Sequence, residues 1–152
     1  MHAAARPTDV MEILREDEGL ILYRSVSAVD GSPLLVLAAE DGRAFGRDLR
    51  RLEQEYAHGD ELDAEWAARP LALVRDRARP ILVLADPGGE LLSSRVGRPW
   101  AVVQFLRVAI GIAVALGRLH GHGLIHKNLK PANILVGPLT GAARLTGFAG
   151  AA

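Results

Sequence analysis

Two short apolar runs begin the regular pattern of the chain, Leu20-Ile21-Leu22-Tyr23-Arg24-Ser25-Val26 and Pro33-Leu34-Leu35-Val36-Leu37-Ala38-Ala39. Between them Asp30-Gly31-Ser32-Pro33 is turn chemistry, because glycine supplies a positive φ and proline restricts its own. The pair predicts a β-hairpin. From Phe45 to about Leu62 the apolar period lengthens to three and four, which predicts one amphipathic helix. Leu49, Leu52, Tyr56 and Phe45 fall on one side of it, and Arg47, Arg50, Arg51 and Glu53 elsewhere. The first fifteen residues are mixed and predict no element.

Leu71-Ala72-Leu73-Val74 and Ile81-Leu82-Val83-Leu84-Ala85 read as a second strand pair joined through Arg75 to Pro80. Asp86-Pro87-Gly88-Gly89 stops the second strand, since proline has no N–H to give and two glycines favour a bend, and it makes the best internal boundary. Pro99 suits the first turn of a helix, and Phe105, Val108, Ile112, Leu116 and Leu119 follow at spacings of three and four until Gly121 and Gly123 end it. A polar loop, Ile134-Leu135-Val136, a turn around Pro138 to Gly141, and Ala143-Arg144-Leu145-Thr146 complete the order. Strands, helix, strands, helix and short strands make an α+β arrangement.

Composition narrows the function classes. Lys plus Arg (18) balances Asp plus Glu (18), so no net field draws the chain to nucleic acid or to an anionic membrane. An apolar share of 49% with 24% charged residues is that of a globular protein. No cysteine is present, which excludes disulfides, thiol nucleophiles and thiolate metal sites and fits a cytoplasmic setting. The first seven residues hold no apolar stretch of the secretory kind. The most apolar region, Trp100 to Leu119, is interrupted by Arg107 and Arg118 and reads as a buried helix rather than a membrane span.

The stretch Leu119-His120-Gly121-His122-Gly123-Leu124-Ile125-His126-Lys127-Asn128-Leu129-Lys130-Pro131-Ala132-Asn133-Ile134-Leu135-Val136 carries the chemistry. It resembles the protein-kinase catalytic loop, H-R-D-L-x-x-x-N, with its preceding Leu-His and the Lys-Pro-x-Asn-Ile-Leu that follows. By that resemblance His126 stands for the structural His, Lys127 for the Arg, Asn128 for the catalytic Asp, Lys130 for the phosphate-contacting Lys and Asn133 for the metal-binding Asn. Leu145-Thr146-Gly147-Phe148-Ala149 falls where kinases carry a strand and D-F-G, so Gly147 replaces the magnesium-holding Asp.

The same resemblance makes Leu82 to Leu91 the hinge between two lobes, with Leu84 as gatekeeper and backbone groups of Ala85, Asp86 and Pro87 facing adenine. Glu55 matches the helix-αC Glu, and Leu35-Val36-Leu37-Ala38 falls at V-A-I-K, putting Ala38 in place of the phosphate-binding Lys that would pair with Glu55. Only one glycine, at Glu18-Gly19-Leu20, remains where a glycine-rich loop belongs. His-Lys in the loop, Thr-Gly-Phe, Asp-Pro-Gly-Gly and Trp66-Ala67-Ala68-Arg69-Pro70-Leu71 also resemble the N-terminal kinase-like domain of bacterial hybrid signalling proteins, where it precedes ATPase, GAF and histidine-kinase regions.

The resemblance implies a kinase-like α+β fold divided as an N-terminal segment (1–15), an N-lobe-like sheet and helix (16–86), and a hinge, helix and catalytic loop (87–152), the remaining C-lobe helices lying beyond the chain. It implies ATP and Mg²⁺ as cofactors, and a protein partner or the rest of a C-lobe over the Trp100–Leu119 helix. Residue chemistry argues against transfer: Asn128 cannot take a proton, Gly147 gives a metal only its backbone, and Ala38 carries no charge. Three readings stay open: an ATP-binding kinase-like enzyme, a non-catalytic pseudokinase serving interaction or sensing, and the remnant of an interrupted gene. The bland alternatives are a helix-end and a core-packing role for His120, His122 and His126, and a solvated helix face for Glu53 and Glu55.

Overall fold

A computed structural model describes residues 5–40 and 45–152. Contacts divide the chain into two compact units, one of residues 1–59 and 69–86, the other of 60–68 and 87–152.

The first unit is built on a five-stranded sheet in the order β1-β2-β3-β5-β4. Its strands are β1 (Glu12–Asp17), β2 (Leu20–Val26), β3 (Pro33–Ala39), β4 (Pro70–Asp76) and β5 (Arg79–Ala85), every neighbouring pair antiparallel. Both hairpins anticipated from the apolar runs form. In the β2–β3 turn Gly31 adopts φ +71°, and the Asp30 carboxylate accepts from the Ser32 hydroxyl at 2.6 Å and the Ser32 N–H at 3.0 Å. Those Ser32 bonds hold the exposed Asp30 carboxyl below its usual range. Leu34 to Ala39 are all buried, which is why β3 is a continuous apolar run instead of an alternating one.

Helix α1 (Phe45–Ala57) packs against β3, β4 and β5 and ends before a short 3₁₀ turn at Gly59–Glu61. Its buried positions are Asp48, Leu52 and Glu55, spaced four and three apart, while Tyr56 is 44% exposed and Glu53 lies in solvent. The apolar pattern had placed Tyr56 inward. Two carboxylates occupy the inner stripe with Leu52, so hydrophobicity alone misjudged the rotation of the helix. Phe45, expected on the same face, lies outside the described side chains.

The second unit has a three-stranded sheet, β6-β7-β8, made of β6 (Glu90–Leu91), β7 (Ile134–Val136) and β8 (Ala143–Leu145), with helix α2 (Val102–Gly121) against β8. Its core gathers Leu62, Trp66, Val108, Ala115, Leu119, Leu124, Ile134, Val136, Leu145 and Phe148. Residues 60–68 join this unit through Leu145, whose N–H donates to the Trp66 carbonyl at 2.9 Å and whose carbonyl accepts from Ala68 N–H at 3.0 Å.

Helix α2 departs from the expectation of a buried helix. Only Val108, Ala115 and Leu119 are buried, whereas Val102, Phe105, Leu106, Ile110 and Val114 are each at least half exposed. Despite Arg107 and Arg118, its 20 residues are long and apolar enough, by length and composition, to cross a bilayer. An apolar groove of about 540 Å³ runs along its first turns, between Leu92, Val96, Trp100, Phe105, Val108 and Ile112.

Candidate functional site

The polar loop between α2 and β7 starts from a closed helix end. Gly123, at φ +78°, donates to the His120 carbonyl at 2.9 Å and Leu124 N–H to that of Leu119 at 3.3 Å, the paired bonds of a Schellman motif, with Leu124 buried behind them. The His122 ring lies 2.8 Å from the Arg118 carbonyl and caps the last turn. His120 is exposed, and among the described residues no group of three His, Cys, Asp or Glu could hold a metal ion.

His126 is the pivot of the loop. It is 2% exposed, its Nε2 is 2.7 Å from the Thr146 carbonyl, and its Nδ1 is 3.2 Å from the Asn128 N–H. A backbone N–H can only donate and a carbonyl can only accept, so Nδ1 is the bare nitrogen and Nε2 carries the proton. The ring also lies 4.9 Å from that of Phe148, which meets Trp66 edge-on at 6.4 Å. Burial pushes the imidazole pKa down, the Thr146 carbonyl opposing in part.

Three more residues close the arrangement. Asn133, fully buried, donates from Nδ2 to the Asn128 carbonyl at 2.8 Å, while its carbonyl accepts the Thr146 N–H at 2.9 Å. Lys130, half-buried and extended, caps the 3₁₀ turn Pro131–Asn133 through its carbonyl. Lys127 is exposed with φ +65°, a conformation that costs a non-glycine residue about 1 kcal/mol or more.

Gly147 stands at φ +78°, where a Cβ would come 2.8 Å from Asn133 Cγ and Nδ2. The positions of His126, Asn128, Lys130, Asn133 and Gly147 are therefore brought into one constellation inside the second unit.

Asn133 Oδ1 is a buried oxygen with no partner among the described residues, as is Thr146 Oγ1. A lone amide oxygen is one donor where Mg²⁺ takes about six. Gly147 contributes no side chain, so the residues present do not make a resident divalent-ion site.

The positions that the resemblance assigns to adenine, Ala85 and Asp86, end β5 in the first unit, and Pro87 opens the second. Leu84 is buried and pairs with Leu35 across the ladder. Ala85 N–H donates to the Arg69 carbonyl at 2.9 Å and Asp86 N–H to that of Pro33 at 3.2 Å. The Asp86 carboxylate, 5% exposed, takes Arg24 Nε at 2.7 Å, and Arg24 reaches Glu12 at 3.3 Å. Nothing in the local pattern around Arg24 foreshadowed this ion pair across 62 residues of chain.

Ala38 needs correction. It pairs with Ile81 and packs with Leu34, Val36 and Val83 beside Tyr23, whereas the face carrying Leu84 holds Leu35, Leu82 and Leu37. Strand side chains alternate, so Ala38 lies on the opposite face of the sheet from Leu84, whose face β3 supplies with Leu35 and Leu37. None of these residues is charged. Glu55, on α1, is 3% exposed and does not belong to a solvated face.

Against known proteins, no family model matches the chain. The serine/threonine-protein kinase SBK2 of Rattus norvegicus is 41% identical over 64 residues, which cover 40% of this chain and 17% of that kinase. The match supports a kinase-like relationship, and the α+β architecture with its antiparallel sheet and few helices is compatible with a kinase N-lobe.

Proposed function

We propose that this chain is a protein-kinase-like domain that binds a nucleoside triphosphate and transfers little or no phosphate. The observation that carries the reading is the loop His126–Asn133 itself, held by His126 to Thr146 and by Asn133 to Asn128. Its residues match the kinase catalytic loop in spacing and, at His126, Leu129 and Asn133, in type, with Lys127 in place of the Arg and Asn128 in place of the Asp.

Phosphoryl transfer depends on positioning and on neutralising charge. Lys130 supplies a compact cation for a phosphate oxygen. Of the 18 Lys and Arg residues only Lys127 and Lys130 are lysines, and both stand in this loop. A chain that uses arginine everywhere else keeps the hydrated point charge here. Asn128 accepts a hydrogen bond through its amide oxygen and so orients a hydroxyl, but it takes no proton, and general-base catalysis contributes about 10²–10⁴-fold.

The phosphate half of ATP is thus compatible with the residues, the metal is not, and no step is drawn through Mg²⁺. A non-catalytic role in interaction or sensing follows from the same substitutions. The finer likeness to the first domain of bacterial hybrid signalling proteins belongs to this proposal and rests on sequence motifs alone.

The test is thermal unfolding of the full chain with ATP, with and without Mg²⁺, joined to a radiolabelled phosphotransfer assay. Stabilisation by ATP that Lys130→Ala removes, without label transfer, is the expected result. Transfer at ordinary kinase rates that Lys130→Ala abolishes would overturn the non-transferring reading, and no response to any nucleotide would overturn the binding one.

A further inference from the structure

Charge is distributed unevenly along this chain. All 18 of its Asp and Glu residues stand at or before Glu90, while Lys and Arg continue as far as Arg144. In the second unit Arg95 meets Glu90 at 3.4 Å, and Glu65 shares a hollow with Arg118 and Arg144. Arg98 and Arg107 are exposed and have no carboxylate partner among the described residues. Both border the apolar surface of α2. Arg98 lines its groove with Trp100, Val102 and Phe105, and Arg107 neighbours Val103, Ile110 and Val114 at helical spacings of four, three and seven.

An exposed apolar face of this extent marks a docking surface, and three properties select what docks. The groove of about 540 Å³, backed by buried Val108 and half-buried Ile112, is concave and takes a row of side chains, whereas a bilayer surface does not follow such a recess. Apart from Arg98 its lining is apolar, so an extended segment would bury peptide groups with nothing to bond them, while a helix satisfies its own. The two unpaired arginines call for carboxylates on the incoming face. A second copy brings none: α2 carries no acid, and the inner stripe of α1, Asp48, Leu52 and Glu55, is already buried.

We infer that this face binds an amphipathic helix of another protein, whose apolar row enters the groove beside Phe105 and whose flanking Asp or Glu residues meet Arg98 and Arg107. Apolar contact supplies the affinity, and the arginines set the partner's charge and register. The inference does not depend on nucleotide binding.

Two synthetic helical peptides of about 20 residues, alike in a Leu row and carrying either Glu or Lys beside it, test this on the full chain by fluorescence anisotropy. The Glu peptide should bind about tenfold more tightly than the Lys peptide, and salt should close the gap. Arg98→Glu with Arg107→Glu should reverse the preference, and the neutral pair Arg98→Gln with Arg107→Gln should bring the two peptides level. Equal affinity of the unsubstituted chain for the two peptides, binding of neither, or a preference that the charge reversal leaves unaltered would overturn the inference. Tighter binding to phosphatidylserine vesicles than to the Glu peptide would assign the face to a membrane and overturn it. A dimer in sedimentation that the Glu peptide does not displace would assign it to a second copy, with the same result.

Discussion

Asn133 and Gly147 exclude any side chain between them: a Cβ on Gly147 would stand 2.8 Å from the Asn133 amide carbon and 2.9 Å from its Oδ1. In this chain the two positions that the kinase motif gives to metal ligands are packed against each other.

Restoring an acid at 147 therefore does not restore a metal site. Gly147→Asp meets both a left-handed backbone, about 1–2 kcal/mol for a residue with Cβ, and the buried Asn133 amide. Chemical denaturation should show a loss of about 2 kcal/mol or more, with no gain of Mg²⁺-dependent transfer. A variant of unchanged stability would mean that Asn133 swings away freely.

Burial of the His126 ring carries a pH dependence of definite sign. The folded ring has a pKa below the ordinary value, so the unfolded chain takes up the proton first as the solution is acidified. The contribution of the neutral ring is complete above about pH 6.5, falls below that value, and levels off once the folded ring also protonates. Protonation at Nδ1 ends the bond from Asn128 N–H. Melting curves from pH 8 to pH 5 should show this decline, and His126→Gln should flatten it. An equal slope in both proteins would sink the assignment.

Helix α2 rests on the β7–β8 turn through two glycines. A Cβ on Gly111 would lie 2.1 Å from the Gly141 carbonyl oxygen, while one on Gly117 meets nothing within 4 Å. Gly111→Ala should cost about 1–3 kcal/mol by overpacking, and Gly117→Ala should add about 0.5–1 kcal/mol from helix propensity. Urea midpoints of the two variants should move in opposite directions.

The β4–β5 hairpin turns on Arg77 and Ala78, with φ of 48° and 68°. A two-residue turn with both φ positive favours Asn-Gly or Asp-Gly. Ala78→Gly relieves the left-handed strain at some entropic cost, so a net stabilisation of up to about 1 kcal/mol is expected by equilibrium unfolding. Destabilisation would show that Ala78 is held by packing rather than strained.

How far the sequence could be read depended on how local the cause was. The hairpins at Asp30-Gly31, the end of α2 at Gly123 and the strands at Ile134 and Ala143 follow from turn and capping chemistry within a few residues. The candidate loop was legible for the same reason, since His126 to Asn133 is one continuous run. Strand parity at Ala38 and the inward face of α1 were misread, because each is set by a neighbouring strand or sheet that the local pattern does not contain.

By itself the amino-acid sequence determined which segments become strands and helices, and which residue types stand in the loop, because period, turn propensity and motif spacing act over short distances. Tertiary structure alone decided that Asn133 lies on Gly147, that Arg24 pins Asp86, and that every N–H from Ala85 to Pro87 is engaged or missing. These are contacts between residues far apart in the chain. Their partners are chosen by packing and by the need of buried polar groups for hydrogen bonds, which no local window of sequence displays.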